Sequence, residues 1–122
     1  MSEEFLRIAK KEVLEDITEI GNLLNTCVND ADISKNTLEI EKHTHKLKGL
    51  APMMGQNELG DIASILDVLL KLASSGKSIP EIFQTIKKSH QFMIDMINDA
   101  KPDYDSLKNE LGQKYAAFLT LK

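Results

Sequence analysis

The sequence predicts an all-α fold: an up-and-down antiparallel four-helix bundle with an additional C-terminal helix, formed by a single domain over residues 1–122. Three observations predict it. Apolar residues recur at intervals of three and four along most of the chain, the period of a helix with one buried face. Hydrophobic residues make up 42% of the chain, but aromatics only 5% and tryptophan none, a balance that suits a Leu/Ile/Met core over a β-sandwich. Only three prolines and six glycines interrupt it, and the joints between periodic stretches are short, so successive helices should return antiparallel. A length of 122 residues supports one core, not two.

The first helix is expected over residues 4–26, with Phe5, Ile8, Leu14, Ile17, Ile20 and Leu24 at helical spacing. Glu12, Glu15, Asp16 and Glu19 read as a solvated face, with partner steering as the lesser alternative. Asn29-Asp30-Ala31-Asp32 ends this helix. Ser34 is the expected N-cap of a second helix reaching Met54, whose buried line is Leu38, Thr44, Leu47, Ala51 and Met54. Pro52 should kink or fray its last turn, and Gly55-Gln56-Asn57 signals the stop.

Asn57 is the expected cap of a third helix carrying Leu59, Ile62, Leu66, Leu69 and Ala73, closed by Ser74-Ser75-Gly76. Ser78 and Glu81 have capping-box spacing, with Pro80 in the first turn of a fourth helix. That helix aligns Ile79, Ile82, Phe83, Ile86, Met93 and Ile97 and ends near Asp99. His90 lies near its buried stripe and reads as a packing residue with a satisfied hydrogen bond. Pro102-Asp103 restart the chain into a shorter helix with Tyr104, Leu107, Leu111, Tyr115 and Phe118, interrupted at Gly112. Met53, Met54, Met93 and Met96 read as packing residues.

No apolar run approaches the ~20 residues that span a bilayer, and Met1-Ser2-Glu3-Glu4 lacks the features of a secretion signal, so the expectation is a cytoplasmic protein without membrane insertion. The single cysteine, Cys27, falls in a polar loop with no second thiol or metal-ligand pattern and is given no role. Net charge is −4, unevenly spread. Residues 1–34 hold eight acids and three bases, whereas residues 35–56 hold two acids and four bases. A positive segment on an acidic chain favours phosphoanions and acidic protein partners and disfavours nucleic acid, although a plain solvated lysine face explains the charge equally well.

Within that segment stand His45-Lys46-Leu47-Lys48-Gly49. His45, Lys48 and Gly49 are three and four residues apart and share one helix face, off the buried line. Gly49 costs the helix roughly 1 kcal/mol relative to alanine, and access to the imidazole is a reason to keep it. A neutral imidazole is nucleophilic at its unprotonated nitrogen, and a nearby cation steadies phosphoryl oxygens. His43, two residues from His45, points to another side, so the pair is not a metal chelate and His43 reads as structural or exposed. No metal site is expected. The chain has no Walker-type or glycine-rich phosphate loop, so it binds no cofactor of its own and any ATP is used by a partner.

The string His45-Lys46-Leu47-Lys48-Gly49-Leu50-Ala51, with Gly55 ten residues after the histidine, resembles the H-x-x-K-G signature of histidine phosphotransfer (HPt) domains. The layout, with Met54-Gly55 and the helix through Ile65-Leu66-Asp67-Val68-Leu69-Leu70, is most similar to the N-terminal phosphoryl-accepting domain of CheA-type chemotaxis histidine kinases. The resemblance implies that His45 accepts the phosphoryl group from the ATP-binding domain of a histidine kinase and donates it to an aspartate of a response-regulator receiver domain. It gives Lys48 the role of steadying the phosphoryl group and Gly49 that of partner access. Asp67 stands where the family has a glutamate that orients the imidazole, one methylene shorter, and an ordinary solvated acid is the alternative. Ser64 stands where a further histidine is common, and Pro52 where a small residue is usual. The chain would be a domain of a larger kinase or a free-standing relay protein. The other reading is a non-catalytic helical interaction bundle, which burial of His45 would favour.

Overall fold

The computed structural model describes residues 2–120, which form seven helices and no strand. They are α1 (Glu3–Leu24), α2 (Asp30–Ser34), α3 (Thr37–Met53), α4 (Asn57–Ser74), α5 (Ile82–Ile97), α6 (Tyr104–Lys114) and α7 (Ala116–Leu119). None is long and apolar enough to cross a membrane.

Helix α1 starts where Ser2 Oγ accepts the Phe5 amide at 3.0 Å, with Glu3 and Glu4 in the first turn, where the helix dipole favours acids. Its buried line is Ala9, Val13, Asp16, Ile17, Ile20 and Leu24. Phe5, Ile8 and Leu14 were expected on that line but are exposed. Every residue from Ser2 to Ile8 is exposed, and Leu14 sits one position around from Val13. Asp16, expected in water, is 1% exposed and buried against α3. Cys27 is not in a solvated loop either: it is buried beyond the end of α1 and its Sγ lies 3.5 Å from the Leu23 carbonyl.

The Asn29–Ser34 stretch is more than a stop. Asn29 Oδ1 accepts the Asp32 amide at 2.9 Å and nucleates α2, which buries Ile33. Ser34 therefore ends a helix rather than starting one, its hydroxyl donating to the Asp30 carbonyl. Helix α3 begins at Thr37, with Asn36 at the cap position. It buries Thr37, Ile40, Thr44, Leu47 and Ala51, at spacings of three and four. Leu38 is 71% exposed because six residues before Thr44 is about 120° around the helix, whereas Ile40 is one turn below it.

Pro52 lies in the last turn of α3, which tightens where the Met54 amide donates to the Ala51 carbonyl at 3.0 Å. Gly55 (φ 81°) donates to the Pro52 carbonyl and Gln56 to the Ala51 carbonyl at 2.9 Å, a Schellman closure. The pyrrolidine ring packs against Gly60, where an added Cβ would stand 2.8 Å from Pro52 Cγ and Cδ. Asn57 is the first residue of α4 rather than its cap. The Ser78–Glu81 capping box is not formed either: Glu81 turns the chain at φ 55°, and Asp30 Oδ1 from α2 accepts the Phe83 amide at 2.8 Å instead. The C-terminal segment breaks at Tyr115, not Gly112, giving two helices in place of one. Tyr115 is fully buried, and its hydroxyl donates to the Pro80 carbonyl at 2.7 Å and meets Thr85 Oγ1 at 2.6 Å.

One apolar core runs through α1, α3, α4 and α5 and is closed by Leu107, Leu111 and Tyr115. Helix α3 packs most extensively on α4; α1 packs on α3 and α5, and α4 also packs on α5. The α3/α4 pair is antiparallel, as the contacts Thr37–Ser74, Lys48–Asp67 and Pro52–Gly60 require. This pairing brings the middle of α4 alongside the middle of α3.

Candidate functional site

The site follows from the rotation of α3. With Thr44 and Leu47 turned into the core, Glu41, His45, Lys48 and Gly49 are carried onto the edge facing α4 or beyond it into solvent. The His45 side chain is 58% exposed. Gly49 is exposed and, among the described residues, no atom beyond its chain neighbours and its own helix backbone lies within 4 Å of where a Cβ would be, so the surface beside the imidazole is open.

Across from this edge, antiparallel α4 presents Asp67, 1% exposed. Its Oδ2 lies 3.6 Å from His45 Nδ1, 3.2 Å from Lys48 Nζ and 3.1 Å from Lys71 Nζ. The four residues singled out from sequence, His45, Lys48, Gly49 and Asp67, are thus assembled in one place. The Asp67 carboxylate holds the lysines more tightly than the imidazole, because 3.6 Å exceeds hydrogen-bond reach. Two further residues complete the cluster. Glu41 Oε2 is 3.8 Å from His45 Nδ1, and Lys71 Nζ is 3.9 Å from the same Glu41 oxygen. Glu41 is four residues before His45 and Lys71 four after Asp67, so each shares a helix face with a residue singled out from sequence, which is the one signal the sequence carries for them.

The two carboxyls behave differently. Glu41 is held above its usual pKa, first because its protonated form hydrogen-bonds to Asp67, then by burial and by the Asp67 charge. Burial pushes Asp67 up, but hydrogen bonds from Glu41, Lys71 and Lys48 outweigh it and hold this carboxyl below its usual value. Lys71 is correspondingly raised by Asp67. The cluster is therefore a compact array in which a buried carboxylate fixes two ammonium groups beside an exposed imidazole. A groove of about 440 Å³ opens next to it, lined by Lys48, Ser64, Asp67, Val68, Lys71 and Leu72.

The other histidines lie elsewhere. His43 turns toward α1, where its Nδ1 is 2.8 Å from Asp16 Oδ1, with Lys46 Nζ 3.3 Å from the same oxygen. This pairing ties α1 to α3 and leaves His43 only 13% exposed. His90 donates from Nε2 to the Ile17 carbonyl at 2.8 Å and packs on Gly21, the satisfied packing histidine expected from sequence. No protein-family model, curated protein or solved structure matches the chain.

Proposed function

We propose that the chain is a histidine phosphotransfer domain of a two-component signalling system. We also read the ring of contacts α1–α3–α4–α5 as an up-and-down antiparallel four-helix bundle, with α6 and α7 as the C-terminal addition. In this reading His45 Nδ1 carries the ring proton toward Glu41 and Asp67, which leaves Nε2 as the outward nucleophile. Nε2 attacks the γ-phosphorus of ATP held by the kinase's ATP-binding domain. An N–P bond forms, the P–O bond to the β-phosphate breaks, and ADP leaves. The ring becomes cationic as it takes the phosphoryl group, and the two carboxyls beside Nδ1 stabilise that charge. A carboxylate oxygen of the receiver aspartate then attacks phosphorus, the N–P bond breaks, and neutral imidazole returns.

Lys48 is one turn from His45 and anchored by Asp67, so its ammonium is positioned to neutralise phosphoryl oxygens, and Lys71 adds a second cation. Exposed Gly49 leaves room for each partner. The single observation that carries this reading is the exposed imidazole flanked by an anchored lysine and a buried carboxylate; a histidine walled in by the core would have favoured a pure interaction bundle. The likeness in motif to CheA-type kinases favours a domain of such a kinase over a free-standing relay protein, acting in the cytoplasm.

The test is incubation with a histidine kinase ATP-binding domain and labelled ATP. Acid-labile, base-stable phosphate should appear on His45 and be absent from a His45→Gln variant. Label persisting in that variant, or an acid-stable phosphoester on the intact chain, overturns the assignment.

A further inference from the structure

We propose that Glu41, His45 and Asp67 form a binding site for a zinc-class divalent metal ion. The three residues bring one imidazole nitrogen and two carboxylate oxygens to within 4.8 Å of one another. Glu41 and His45 are one helical turn apart on α3, and Asp67 faces them from α4. From His45 Nδ1 the carboxylate oxygens stand at 3.8 and 3.6 Å. Neighbouring ligands around tetrahedral Zn²⁺ are about 3.3 Å apart, given metal–ligand bonds of ~2.0–2.1 Å, so each carboxylate oxygen is within a few tenths of an ångström of its place relative to the imidazole nitrogen.

Two buried oxygens here have acceptor capacity that a cation can take up in place of a shared proton. Asp67 is 1% exposed, and its Oδ1 is buried without a hydrogen-bond donor. Glu41 Oε2 is likewise buried without one. Buried acceptors are ordinarily satisfied, and this pair of carboxyls is satisfied either by a proton held between them or by a cation. The donor set of one nitrogen and two oxygens suits Zn²⁺ and its neighbours in the first transition row. It does not suit Mg²⁺ or Ca²⁺, which prefer all-oxygen sites with more ligands. Exposed His45 also leaves a fourth position open to water.

Lys48 and Lys71 occupy the Asp67 carboxylate without the metal, but their side chains are 40% and 53% exposed and free to swing into solvent. They make the site a competitive one, in which metal and ammonium groups exclude each other. Taken together with the phosphotransfer reading, on which this one consequence rests, zinc would act as an inhibitor. A neutral imidazole that ligates through Nδ1 carries its proton on Nε2, which removes the lone pair that attacks phosphorus.

The experiment is a Co²⁺ titration of the full chain followed by visible absorption, with Zn²⁺ added to displace the cobalt and Mg²⁺ as the control. The expected result is one equivalent of tetrahedral-type cobalt spectrum, displaced by Zn²⁺ and untouched by Mg²⁺. His45→Gln, at an exposed position that leaves the fold intact by circular dichroism, should weaken binding by at least the ~10–100-fold that lost ligand support costs a metal site. Lys71→Met should tighten it by removing a competing charge. Cobalt binding of unchanged affinity in His45→Gln, or no stoichiometric spectrum in the wild-type chain, overturns the proposal. None of these measurements involves phosphate, so the metal site and the phosphotransfer reading stand or fall separately.

Discussion

Gly49 and Gly60 are both helical glycines, and the same substitution should move stability in opposite directions at the two. Replacing either by alanine gains about 1 kcal/mol of helix propensity. At Gly49 nothing stands within 4 Å of the new methyl, so that gain is kept, and the melting temperature should rise by about 4 °C for a domain of this size. At Gly60 the methyl would stand 2.8 Å from two carbons of the Pro52 ring, which is locked into the last turn of α3 and cannot rotate away. Overpacking of that kind costs about 1–3 kcal/mol. The propensity gain is common to both variants and cancels in the comparison, so Gly49→Ala should exceed Gly60→Ala by about 1–3 kcal/mol. Urea unfolding of the two proteins measures this directly.

Gly49→Leu should fold as well as wild type but intrude on any partner seated over His45. An interface cost of about 1–3 kcal/mol would slow transfer both from the kinase domain and to the receiver by roughly 5- to 200-fold. Equal stability of the two alanine variants would refute the packing argument. Wild-type transfer rates in Gly49→Leu would refute the role of Gly49 as the gap through which partners reach His45.

Lys48→Met should slow phosphoryl transfer while changing stability by no more than about 1 kcal/mol, because Lys71 still pairs Asp67; wild-type transfer rates in this variant would remove Lys48 from the mechanism. Tyr115→Phe should destabilise by about 1–3 kcal/mol, since it strands the buried Thr85 hydroxyl and removes the hydrogen bond to the Pro80 carbonyl, and should leave His45 phosphorylation unaltered at temperatures where the variant is folded. Thermal unfolding alongside a labelling assay checks both halves. Asp67 is depressed in the folded state, so its contribution to stability is present above the unfolded value near ~3.9 and is lost as pH falls through the lower folded value. Glu41 is raised and titrates in the opposite sense, which a Glu41→Gln background removes. In that background Lys71 and Lys48 still hold Asp67 and the glutamine amide can donate in place of the Glu41 carboxyl, so with chelator present the stability deficit of Asp67→Asn should be constant near neutrality and shrink as the pH drops below about 4. Urea midpoints at pH 7 and pH 3 that show the same deficit would contradict the assigned ion pairs.

Helix content, the middle of every long helix and the outward position of His45 are legible from local pattern, because the period of apolar residues is a property of a single segment. Leu47, Ala51, Leu59, Ile62, Leu66 and Ile86 fall in the core where their spacing puts them. Helix ends are less legible. Ser34, Asn57 and Ser78 are good capping residues by type, yet Asn29 and Asp30 do the capping nearby, the latter across a gap of 53 residues. The exposed start of α1 carries apolar residues at core spacing, but among the described residues no neighbouring helix covers it, and periodicity in one strip of sequence does not reveal where its neighbours stop.

For the candidate site, the chain by itself determined that His45, Lys48 and Gly49 share an exposed helix edge, since residues three and four apart must lie together on any α-helix. Tertiary structure decided what they meet. Only the antiparallel register of α3 against α4 sets Asp67 within 3.6 Å of the imidazole, and only that contact turns Glu41 and Lys71 from ordinary surface charges into members of the cluster. The same packing sends His43 to Asp16 on α1. Pairing between helices depends on their relative rotation and slide, which the whole core sets at once, and no local spacing encodes it.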